Sequence, residues 1–124
     1  MKDNILDTFV QAANRYDLSL DITLNVKGAV ITGTMVSAAE YFGELSEILE
    51  GGDEAAQMLS EQMAKAGETA GSDDKSEAHF IHMKDTKVYC GDSKPTPSKG
   101  DFLWRGKLSE IDGFFLGKIV DKNS

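Results

Sequence analysis

Leu18, Leu20, Ile22, Leu24 and Val26 alternate with Ser19, Asp21, Thr23 and Asn25, the two-residue period of a strand with one buried face. Lys27-Gly28 interrupts the alternation, and Gly28 is free to take the positive φ of a tight turn. The β-branched run AVITGTMVS returns as the hairpin partner. Ahead of this hairpin, Ile5, Leu6, Phe9, Val10 and Ala13 recur at helical spacing behind Asp3 or Asn4, which predicts a capped amphipathic helix over 4–16. Behind it, Ser37-Ala-Ala-Glu40 has the form of a capping box. A helix with Tyr41, Phe42, Leu45, Ile48 and Leu49 on one face should follow and stop at Gly51-Gly52. Asp53 opens a second helix to about Ala66, with Ala55, Leu59, Met63 and Ala66 as its apolar stripe. GETAGSDDKSE, 67–77, has no large apolar residue and is expected to be a mobile loop.

The last third returns to strand patterning. AHFIHMKDTKVYC predicts a strand, with a possible turn near Lys84-Asp85. CGDSKPTPSKG is expected to be a loop, because Pro95 and Pro97 cannot donate to a ladder. DFLWRGKLSEIDGFFLGKIV predicts two strands meeting around Asp112-Gly113. No internal repeat is evident. The elements sum to an α+β architecture in a single domain of 124 residues. It comprises an N-terminal helix, a small antiparallel sheet of about five strands, and a two-helix insertion, 38–77, after the second strand.

Charge sharpens that picture. Between Ser37 and Glu77 there are eleven carboxylates and two lysines, so this segment carries −9 of the net −8 and the rest of the chain +1. A nearly neutral framework thus carries one acidic appendage. The overall balance disfavours nucleic acid as a partner. No run of about 18 apolar residues would span a bilayer, and the charged first residues do not form a signal core, so a cytoplasmic protein without a membrane partner is expected. A lone cysteine, Cys90, fits a reducing compartment.

The candidate chemistry is thin. GDFLWRGKLS places five residues between Gly100 and Gly106, one too many for a phosphate loop, and Leu108 stands where Ser or Thr would bind the metal. Those five residues include Phe102, Trp104 and Arg105, whose bulk would hold backbone amides away from a phosphate, so the stretch is read as strand. His79 and His82 are three apart on a predicted strand, point oppositely, and are expected at the surface or an edge. Cys90 has Lys87 and Lys94 nearby in sequence but no evident base, and is expected to be a small core residue. Ser93-Lys94 and Ser98-Lys99 fit a polar loop. Glu40, Glu44, Glu47 and Glu50 suit a solvated helix face better than a di-metal site. No catalytic residue, metal ligand or cofactor site is assigned. What remains is interaction surface: Phe102, Trp104, Arg105, Phe114 and Phe115. Alternation puts Phe114 and Phe115 on opposite faces, so one of them should meet the appended helices or another chain.

Three blocks, LDITLNVKGAVITGTMVSAAEYF, EAHFIHMKDTKVYCGDSKPTPSKG and FLWRGKLSEIDGFFLGKI, resemble the U-type gas vesicle accessory proteins (GvpU), over about Asp3 to Ile119. The likeness is loosest over 51–76. It implies a non-enzymatic cytoplasmic protein associated with gas vesicles, influencing their clustering or organisation. It brings no catalytic residue, metal or cofactor. The implied partners are the gas vesicle shell or other gas vesicle proteins, and aromatic strands without an active site add the expectation of a homo-oligomer. Alternatives are an assembly chaperone binding shell subunits through the helical pair, or a small ligand-binding or hydrolytic domain using loop 90–101. The order of elements is also similar to Sm-like small barrels, making an Sm/SH3-like barrel the alternative to an open sheet, with Gly33 at its bend.

Overall fold

The computed structural model describes residues 3–72, 78–91, 94–97 and 99–120. The architecture is α+β, with a five-stranded antiparallel sheet and two helices following its second strand. The order is α1 (Asn4–Tyr16), β1 (Leu20–Val26), β2 (Ala29–Val36), α2 (Ala38–Leu49), α3 (Glu54–Ser72), β3 (Phe80–Tyr89), β4 (Phe102–Lys107), a 3₁₀ turn (Leu108–Glu110) and β5 (Gly113–Leu116). Across the sheet the strands run β4-β3-β2-β1-β5.

The sheet is open, which corrects the barrel alternative. β4 and β5 lie at opposite ends and no ladder joins them. β5 is only four residues long. At Gly117 (φ +117°) the chain leaves the edge and crosses the face of β1 and β2. Among the described residues, no strand is left to close the gap.

Local chemistry accounts for the elements. Asp3 caps α1, its Oδ1 accepting from the Ile5 N–H (2.8 Å) and the Leu6 N–H (3.3 Å). Lys27 and Gly28, at φ +50° and +88°, form the β1–β2 turn with the primed geometry that matches strand twist. The tip is held from outside. The Asp112 carboxylate accepts from the Lys27 N–H (2.7 Å), and Lys27 Nζ lies 3.0 Å from Glu110.

β3 is one strand rather than a hairpin. The turn expected at Lys84-Asp85 is a bulge, with Asp85 at φ +52° and the register to β2 slipping between Thr32 and Thr34. Gly33 sits opposite it. A Cβ there would come within 2.9 Å of both the Lys84 carbonyl and Thr86 Oγ1, so only glycine admits this close approach.

One face of the sheet holds the core. Leu6, Val10 and Ala13 of α1 pack on Ile22, Leu24, Ile31, Met35, Ile81 and Met83, closed at one side by Leu108 and Ile111. Each of the Leu, Val, Ile and Met side chains stabilises by about 1.5–3 kcal/mol through burial. Ile5, expected in the apolar stripe of α1, is exposed.

The opposite face is polar in its middle. Ile119 N–H donates to Thr32 Oγ1 (2.9 Å), Thr32 and Thr23 hydroxyls meet at 2.8 Å, and Thr23 Oγ1 donates to the Gly117 carbonyl (2.7 Å). With the Thr23 proton committed to Gly117, Thr32 is the donor between the two hydroxyls. Two buried threonines are thereby satisfied, and the tail is stitched across the sheet.

The helical pair covers the end of this polar face. Ser37 Oγ accepts from the Glu40 N–H (3.0 Å), but the reciprocal half of the capping box is not made. Glu40 reaches Lys84 Nζ instead, at 2.8 Å. α3 is capped as expected, Asp53 Oδ1 accepting from the Ala56 N–H (2.9 Å). Its contact stripe differs from the expected one. Ser60 and Gly67 face α2, whereas Ala55 and Leu59 are exposed. Ser46 and Ser60 exchange hydroxyl-to-carbonyl bonds of 2.8 Å in both directions. Gly67 brings the axes close; a Cβ there would lie 3.3 Å from the Ala39 carbonyl and from Phe42 Cβ. This packing carries α3 through residues 67–72, which the composition had suggested were loop; the remainder of that expected loop, 73–77, lies outside the described residues.

Candidate interaction surface

The five candidate residues do not form one patch. Phe102, Trp104 and Arg105 lie on β4 at one end of the sheet, and Phe114 and Phe115 lie on β5 at the other.

At the β4 end, Trp104 faces Met83 and Gly106 faces Ile81, both on the core side. The indole folds over Gly106 so closely that any Cβ there would collide with the ring. The glycine in WRGK is thus the seat of an aromatic ring that seals the core at an edge strand. Arg105 points to the opposite face. Its guanidinium carbon stacks 3.7 Å from the Phe80 ring centroid and 5.7 Å from that of Phe42, and its Nε donates to His82 Nε2 at 3.1 Å.

His82 is buried, a correction to the expected surface position. Its burial comes from the insertion, since the Tyr41 and Phe42 rings lie 4.8 and 5.6 Å from the imidazole. Accepting at Nε2 places the proton on Nδ1, which has no hydrogen-bond partner among the described residues. Burial first, and the adjacent Arg105 charge second, lower the imidazole pKa to about 4. The histidine therefore serves as a neutral joint between α2 and β4. His79 is exposed, and so is Cys90, contrary to the core position expected for the cysteine. Cys90 falls just past the end of β3, beyond the cover of either helix layer. The loop serines Ser93 and Ser98 lie outside the described residues.

Phe102 lines a cavity of about 350 Å³ between α2 and the β3–β4 edge, together with Ile48, Leu103 and the acids Glu44, Glu47, Asp85 and Asp101. Burial raises the Glu44 pKa, while Lys84 opposes the shift. Lys84 is itself engaged by Glu40, which raises the lysine pKa. Among the described residues, no three or more His, Cys, Asp or Glu side chains converge as a metal centre would require.

At the β5 end, Phe114 turns inward and meets Phe9 edge-on, with centroids 6.1 Å apart. Phe115 turns to the other face, as strand alternation requires, and is 53% exposed. Leu116, paired with Ile22 and so on the core side of the same edge, is 55% exposed, and Ile119 and Val120 are open on the segment that crosses the opposite face. An apolar ridge runs along the helical pair, where Ile48, Met58 and Leu59 are exposed. His82 was the residue the sequence hid. Its only signal was a polar side chain on a strand facing the aromatic stripe of α2.

A family model described as gas vesicle protein GvpU-like matches residues 3–119. No curated protein and no solved structure matches the chain.

Proposed function

The chain belongs to the GvpU-like gas vesicle protein family, and on that footing we infer that it is a non-enzymatic accessory protein that associates with gas vesicles and gathers them by binding to itself. Membership makes it a gas-vesicle-related protein; the clustering role is our reading. The observation supporting it most is the edge strand β5, where Phe115 and Leu116 are each more than half exposed, with Ile119 and Val120 open on the segment that follows it. In this reading Trp104 and Arg105 are architecture, Phe114 is core, and Phe115 is contact surface. The partners are the vesicle shell or its other proteins, in the cytoplasm. Neither nucleic acid nor membrane is engaged, and no catalytic group, metal or cofactor takes part. The acidic helical pair sets spacing by repulsion, over a range that salt shortens.

Flotation of purified gas vesicles with the protein across ionic strength tests the reading. The protein should rise with the vesicles and cluster them. Protein that remains in the subnatant at every salt concentration contradicts vesicle association.

A second reading has its own observation. The exposed ridge of Ile48, Met58 and Leu59 suits a chaperone that shields apolar shell subunits. Replacing 38–77 with a short linker distinguishes the two. A chaperone loses subunit solubilisation, whereas the β-framework still self-associates.

A further inference from the structure

The two open edges of the sheet are chemically unequal. β4 carries Arg105 and Lys107, the kind of charge that discourages edge-to-edge pairing, and Thr96 extends its line by bridging to Val88. β5 reads Gly-Phe-Phe-Leu, with no charge, and both Phe115 and Leu116 are more than half exposed. This is the unguarded edge.

Its register states how a partner would pair. Gly117 N–H donates to the Asp21 carbonyl (2.8 Å), in line with the pairs Ile22–Leu116, Thr23–Phe115 and Leu24–Phe114. Hydrogen-bonded and non-hydrogen-bonded pairs alternate along an antiparallel ladder. The Phe115 backbone therefore faces β1, and the N–H and C=O groups of Phe114 and Leu116 face outward. The outward groups of Phe114 and Leu116 lie symmetrically about Phe115, so an identical strand laid antiparallel satisfies them on both copies at once.

We propose that β5 is a self-pairing edge: it docks antiparallel on β5 of a second copy, Phe114 opposite Leu116 in both directions, with Phe115 on the two-fold axis. This rests on the self-association reading above and names its surface. The joint is isologous and closes at two copies, so the sheet continues from one protomer into the next. It leaves β4 and the helical ridge of each protomer free for other contacts.

Cysteine cross-linking of the full chain in a Cys90→Ala background tests the register. Phe115 would face its own copy in a non-hydrogen-bonded pair, about 4.5 Å between Cα atoms, within reach of a disulfide. Phe115→Cys should therefore cross-link on mild oxidation at least about tenfold faster than Leu116→Cys, whose counterpart is displaced by two residues along the strand. Equal rates, or none at 115, overturn the proposal. Sedimentation of Leu116→Lys separates this failure from that of the broader reading. The exposed position tolerates the change, and dimer affinity should fall at least about tenfold because each interface gains two charges among apolar groups. Unchanged association overturns the edge while leaving self-association intact. A wild-type chain that is monomeric at every concentration overturns both.

Discussion

His82 is the residue whose chemistry the fold changes most. Its imidazole titrates near 4 in the folded chain and near 6.5 when unfolded. Between those values the unfolded state binds more protons, so the contribution of the buried neutral ring is present above about pH 6.5 and is lost as pH falls through about 4. The full effect is on the order of 3 kcal/mol. Denaturant titrations at pH 7, 5 and 4 should show that decline, and His82→Phe should flatten it; an equally steep decline in the variant contradicts the assignment. The threonine relay makes a second residue-scale prediction. Thr32→Val removes the acceptor for Ile119 N–H and the donor to Thr23, and should cost about 1–3 kcal/mol in chemical denaturation. It should also speed amide exchange at Ile119. Normal protection there would contradict the relay. Neither residue was legible in the sequence. A histidine on a strand and two threonines on a polar face look solvated until the insertion and the tail are known to cross that face.

At the scale of elements, alternation in β1 and the capping residues Asp3, Ser37 and Asp53 were legible because each is local chemistry acting over a few residues. The orientation of α3 was not. Its apolar residues Ala55 and Leu59 suggested one face, whereas close packing selected Ser60 and Gly67. Small residues bury well only when a partner helix can approach, which the pattern of one helix cannot reveal. Gly67→Val should therefore force α2 and α3 apart. We expect a loss of about 1–3 kcal/mol and reduced helical circular dichroism, while fluorescence from Trp104, the only tryptophan, stays unchanged. A coincident shift in tryptophan emission would mean that the helical pair and the β4 edge unfold as one body. Openness of the sheet was also out of reach. It depends on the brevity of β5 and the turn at Gly117, both set by tertiary contacts.

For the whole molecule, a compact β-framework carries an acidic helical arm docked through His82 and Lys84. In GDFLWRGKLS, Trp104 covers Gly106, Arg105 holds His82, and Lys107 marks the end of an edge strand. Family membership makes this a gas-vesicle-related chain, and the exposed β5 edge is the surface we propose for joining copies. The most direct test of that central claim is the solution mass by light scattering over a wide concentration range at low and high salt. The account predicts a mass that climbs from one chain to at least two as concentration rises, more readily when salt screens the acidic arms. A mass fixed at one chain throughout would contradict it.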